Sequence, residues 1–75
     1  MEDSKALRTI RELAGLNQHE AARRFGIHPM TWTKRELGSY PIPQGFLSEV
    51  WCGLEEEIRG RVDALWRKPE EVAVA

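Results

Sequence analysis

The chain has 75 residues with 41% hydrophobic and 31% charged, a formal net charge of −1 and one cysteine, which allows one small globular domain and no internal disulfide. No apolar run approaches the roughly 18 residues of a membrane span, and no charged, apolar, then small-residue segment opens the chain, so the cytoplasm is the expected location. The near-zero net charge hides an asymmetry. Between Lys5 and Tyr40 the basic residues Lys5, Arg8, Arg11, Arg23, Arg24, Lys34 and Arg35 face only Glu12, Glu20 and Glu36. From Gln44 onward the acidic residues Glu49, Glu55, Glu56, Glu57, Asp63, Glu70 and Glu71 outnumber Arg59, Arg61, Arg67 and Lys68. One half suits an anion and the other suits something else.

Leu7, Ile10, Leu13 and Ala14 recur at helical spacing behind Asp3 and Ser4, which predicts a first helix over Ser4 to Ala14, ended by Gly15. Asn17 with Glu20 three residues later forms a capping box, and a second helix follows over Gln18 to Phe25, ended by Gly26. Pro29 fits the first position of a third helix, because no amide partner is needed there; the helix runs to Leu37 and stops at Gly38. Ser39-Tyr40-Pro41-Ile42-Pro43 makes a stiff connector. Beyond it Phe46, Leu47, Val50, Trp51, Leu54, Ile58, Val62, Leu65 and Trp66 keep a helical period. Gly53 interrupts it, which predicts two helices meeting there, with one bent helix as the alternative. The fold class is therefore all-α with four to five helices, one domain over 1–68, and a frayed tail over 69–75. Cys52, between Trp51 and Gly53 and close to Leu54, reads as a small hydrophobe in the core.

Two short helices around a tight glycine turn, the first with small Ala21 and Ala22 and the second with Trp32 on its inner face, describe a helix-turn-helix over about 17–38. The stretch Leu16 to Gly38 resembles that of the lambdoid phage repressor and Cro proteins, the Xre family. Gln18 heads the second helix, Ala22 and Gly26 stand where the two helices pack, Trp32 takes the buried aliphatic position, and Glu36 with Gly38 matches the end of the recognition helix. The likeness covers about Leu7 to Pro43. Arg35 and Ala21 depart from it, where the family has a large apolar residue and a leucine.

The resemblance implies a transcriptional regulator, a repressor or autorepressor, that binds a palindromic operator in double-stranded DNA as a homodimer. It puts Pro29, Met30, Thr33 and Lys34 at base edges in the major groove. It puts Asn17, Gln18, Ser39 and Tyr40 at the DNA backbone, with Thr31 at the margin and Arg23 and Arg24 as weaker candidates. Beside it, the residues themselves make His28 a helix cap or phosphate neighbour, and let Arg35 bury its stem with its guanidinium near the DNA backbone or an acidic neighbour. Arg11 and Glu36 are expected to form an ion pair between the first and third helices. The apolar stripe Trp51, Leu54, Ile58, Val62, Leu65 and Trp66, in a C-terminal part over about 44–68, serves core packing or a dimer seam, and the seam is the reading preferred. Regulators of this kind occur in phages and mobile elements, anti-CRISPR operons among them, a setting given by analogy.

Neither His19 nor His28 shares a helical face with further metal ligands, and no phosphate loop or nucleophile motif is present. No enzyme activity, metal or cofactor is expected. Glu55-Glu56-Glu57 reads as a solvated helix start rather than an acidic site. The alternative function is an antitoxin or other protein-binding module on the same scaffold, with a toxin as partner.

Overall fold

A computed structural model describes residues 2–66, with only the backbone of Trp66. Among these residues there are four helices and no strand: α1 Asp3–Leu13, α2 Gln18–Arg24, α3 Pro29–Leu37 and α4 Phe46–Trp66. The protein is all-α. The frayed tail expected over 69–75, and the side chain of Trp66 in the expected dimer seam, lie outside the described residues.

The helix ends follow local chemistry. Helix α1 starts one residue before the expected Ser4, with Glu2 at its N-cap and no side-chain cap. Asn17 caps α2 as a full capping box: its Oδ1 accepts from the Glu20 amide at 2.8 Å, and Glu20 Oε1 accepts from the Asn17 amide at 2.9 Å. His28 caps α3 by accepting the Met30 amide on Nδ1 at 3.1 Å, with Pro29 in the first turn. At Gly26 the backbone takes φ +67, which lets the Ile27 amide return to the Ala22 carbonyl at 2.8 Å.

Trp32 is the centre of the core. It is fully buried, stacked on Phe25 with ring centroids 5.9 Å apart and edge-on to Phe46 at 5.9 Å. Around it lie Leu7, Ala14, Ala21, Ala22, Val50, Leu54 and Ile58. The two alanines of α2 are completely buried, so a large indole and small facing residues share the space between helices.

The C-terminal half differs from the sequence reading in three ways. It is one continuous helix across Gly53, not two helices. Gly53 is needed for space: a Cβ there would lie 2.7 Å from Phe25 Cε1 and 2.9 Å from Cζ, so the glycine lets the aromatic ring sit against the helix. Next, Leu54 and Ile58, expected at a dimer seam, belong to the core of the single chain, at 0% and 6% exposure. They continue the four-residue stride Phe46, Val50, Leu54, Ile58 that faces the other helices. Finally, Cys52 is exposed, because two residues before Leu54 it points to the opposite side of the helix.

The two glycines of α4 therefore differ in their response to substitution. Gly60 has nothing within 4 Å of an added Cβ, whereas Gly53 is pressed by a ring that is itself held by Trp32. Gly60→Ala is expected to stabilise the protein by about 0.5–1 kcal/mol through helix propensity. Gly53→Ala is expected to destabilise by up to about 2 kcal/mol net, because an overpacking cost of about 1–3 kcal/mol outweighs that gain. Thermal melts of both variants check this, and a higher melting temperature for Gly53→Ala would remove the packing explanation.

Candidate nucleic-acid interface

Helix α3 has an inner side and an outer side. Trp32 and Glu36, four residues apart, turn inward, and Met30, Lys34 and Leu37 recur at helical spacing on the opposite side. Met30 is 57% exposed and Leu37 is 73% exposed, while Lys34 is half-buried. Leu37 was not among the residues expected at the surface of interest. The signal was available in the 30, 34, 37 spacing opposite Trp32, but a leucine at a helix end reads by default as core.

The inner side is locked by one carboxylate. Glu36, with a side chain 3% exposed, is gripped by Arg11 through two bonds, Nε to Oε2 at 2.6 Å and Nη2 to Oε1 at 3.1 Å. Gln18 Nε2 donates to Oε1 at 3.1 Å, and the indole N–H of Trp32 donates to Oε2. Arg11 Nη1 also donates to the Leu16 carbonyl at 2.8 Å. The carboxylate thus ties α1, the start of α2 and α3 to one another. Burial pushes the Glu36 carboxyl up. The hydrogen bonds from Arg11, Gln18 and Trp32, with the Arg11 charge, outweigh it and hold the group below the usual 4.5.

Gln18 is part of this network. While its amide N–H reaches Glu36, its Oε1 accepts from Thr33 Oγ1 at 3.0 Å. Thr33 is thereby fixed with its hydroxyl toward α2 and retains acceptor capacity and a methyl group for other contacts. Asn17 is exposed, but its side-chain oxygen is engaged in the cap. Pro29 and Thr31 are half-buried, and Arg23, His28, Ser39 and Tyr40 are exposed.

Two arginines turn away from the outer side of α3. Arg35, expected with its guanidinium at the surface near phosphate or an acidic neighbour, is turned inward instead, with its guanidinium carbon 4.7 Å from the Phe46 ring centroid and its Nε buried without a partner. It lies one residue before Glu36, on the flank of α3 against the start of α4. Arg24 pairs with Glu57 of α4 and donates to the Gly53 carbonyl at 3.1 Å, so its charge is used to hold α2 to α4. The Arg24 hydrogen bond lowers the Glu57 carboxyl below its usual range.

On α4, Trp51 is 42%, Val62 37% and Leu65 85% exposed, and every residue from Arg59 to Leu65 is exposed. No helix among the described residues is long and apolar enough to cross a membrane. No protein-family model, curated protein or solved structure matches the chain.

Proposed function

We propose that the protein is a sequence-specific binder of double-stranded DNA that regulates transcription, acting as a repressor or autorepressor in the cytoplasm. The observation that carries this reading is the outer side of α3, exposed at Met30 and Leu37 with Lys34 between them, on a helix whose inner side is fixed through Glu36 to two others. A helix so anchored presents its side chains in one orientation, as reading the major groove requires. Met30 and Pro29 supply apolar contact to thymine methyl groups, and Thr33 supplies both a methyl and an acceptor. Few directed hydrogen bonds reach the bases, so DNA shape and bridging water carry part of the specificity.

The exposed Arg23, His28, Ser39 and Tyr40 serve as contacts to the DNA backbone. A homodimer forms through the exposed apolar positions Trp51, Val62 and Leu65 of α4, and it places two α3 helices on one face of the duplex. Repression follows from occupancy of a promoter, and neither a cofactor nor an enzymatic step is required.

Selection of preferred duplexes from a random pool at near-physiological salt tests the whole reading. The expected result is an enriched palindrome with half-sites about one helical turn apart. Enrichment of a single undivided site would remove the dimer but keep the DNA binder. A folded protein that enriches nothing would shift the assignment to a protein-binding module, for which exposed Met30 and Leu37 are also suitable anchors.

A further inference from the structure

Lys34 and Tyr40 stand six residues apart, one in the last turn of α3 and one beyond its end, yet their side chains meet. Lys34 Nζ donates to Tyr40 Oη at 3.5 Å and lies 4.9 Å from the centroid of the Tyr40 ring. The backbone enforces the meeting. Gly38 takes φ +82 and reverses the chain, and the amides of Ser39 and Tyr40 both donate to the Lys34 carbonyl, at 2.9 and 3.2 Å. Tyr40 is therefore tied to the same residue by main chain and by side chain.

After this contact the ammonium keeps two of its three N–H groups, and the phenol keeps its own O–H. Tyr40 remains 43% exposed and Ser39 beside it is exposed, so the pair opens to solvent past the C-terminal end of α3. Base edges are met mainly by the N-terminal part of a recognition helix. The tyrosine draws the lysine toward the other end. A cation and a hydroxyl converging from one side are complementary to an anionic oxygen pair, and a duplex offers such pairs only on its phosphates.

We infer that Lys34 and Tyr40 form a two-point clamp for one phosphodiester of the duplex, and that Lys34 works on the backbone rather than on a base. The inference rests on the DNA-binding reading above and deepens it. Tyr40 is the positioning residue, since its ring and hydroxyl hold the ammonium where the phosphate passes. Base choice is left to Pro29, Met30 and Thr33.

The test measures affinity against salt for the full chain, on the duplex enriched from the pool and on its single-base variants. Lys34→Met is expected to weaken binding about tenfold, equally on every duplex. It should reduce the slope of log affinity against log salt by about 0.9, the share of one phosphate contact. Tyr40→Phe keeps the ring and is expected to weaken all duplexes alike with the slope unchanged. In the double variant the loss should fall short of the product of the two single losses, because the groups act on one oxygen pair. Tyr40 is exposed and Lys34 half-buried, and circular dichroism verifies that each variant folds. Relaxed preference at one base position with an unchanged slope in Lys34→Met would overturn the clamp while leaving the DNA reading intact. Absence of binding to any duplex by the parent protein would overturn both.

Discussion

Trp32→Ala is expected to leave the chain largely without a cooperative fold at room temperature. Trp32 is fully buried and touches two further aromatic rings, Phe25 stacked and Phe46 edge-on. Truncating a buried tryptophan costs about 3–5 kcal/mol in lost transfer energy and cavity. The indole N–H is also one of the donors to the buried Glu36 carboxylate, and removing a donor from a buried charged group adds a cost of about 1–3 kcal/mol. A domain of this size has about 4–11 kcal/mol in total at 0.05–0.15 kcal/mol per residue, so a combined loss of about 4–8 kcal/mol is comparable to the whole. Urea titration followed by far-UV circular dichroism is the measurement. Trp32→Phe separates the two causes, because it retains a ring between Phe25 and Phe46 but lacks the donor. It is expected to unfold cooperatively at a lower urea midpoint. A Trp32→Ala protein with a midpoint close to that of the parent would mean that the core is centred elsewhere.

The elements that could be read from sequence were those whose ends are written in local chemistry. Asn17 with Glu20, His28 with Pro29, and Gly38 each act on amides or carbonyls within a few residues, and the second and third helices lie within a residue of expectation. The C-terminal half was less legible because its outcome depends on partners far away in the chain. Gly53 looks like a breaker until the Phe25 ring that fills the space beside it is known. Trp51, Cys52 and Leu54 are near neighbours in sequence, but successive residues of a helix diverge by about 100°, so only Leu54 is buried. One apolar stripe also carries two jobs here. Its inward stride ends at Ile58, and no periodicity indicates where core gives way to exposed surface at Val62 and Leu65.

The candidate interface divides in the same way. The shared inward face of Trp32 and Glu36 follows from their spacing of four residues, whereas the joining of Arg11 to Glu36 could be anticipated only through the family resemblance. What could not be anticipated is where the ends of long side chains go. Arg35 has a long apolar stem and a flat cation, and the ring of Phe46 from α4 captures it. Gln18 could equally have pointed outward at the head of α2, but the buried Glu36 carboxylate and the half-buried Thr33 hydroxyl offer it an acceptor and a donor at once.

Arg11→Met carries the second large effect, and its pH dependence is diagnostic. The variant removes the cation from a carboxylate whose side chain is only 3% exposed, a change expected to cost about 3–5 kcal/mol at neutral pH. In the parent, the Glu36 carboxyl is held below the usual 4.5 despite burial, so its contribution to stability is fully present above that value and is lost as pH falls through the lower folded value. Without Arg11 the two bonds from that side chain and its charge are gone, and burial opposes only the bonds from Gln18 and Trp32. The carboxyl then titrates higher, and protonation relieves an unpaired buried charge. The stability gap between parent and variant should therefore narrow as pH falls through the carboxylate range, because acid weakens the parent at this site and spares the variant. Other carboxylates, Glu57 included, are common to both proteins and cancel in the difference. Urea midpoints of the pair at neutral and acid pH measure it. A gap that stays constant would mean that Arg11 stabilises through its stem and its bond to the Leu16 carbonyl, not through the ionised Glu36 that holds α1, α2 and α3 together.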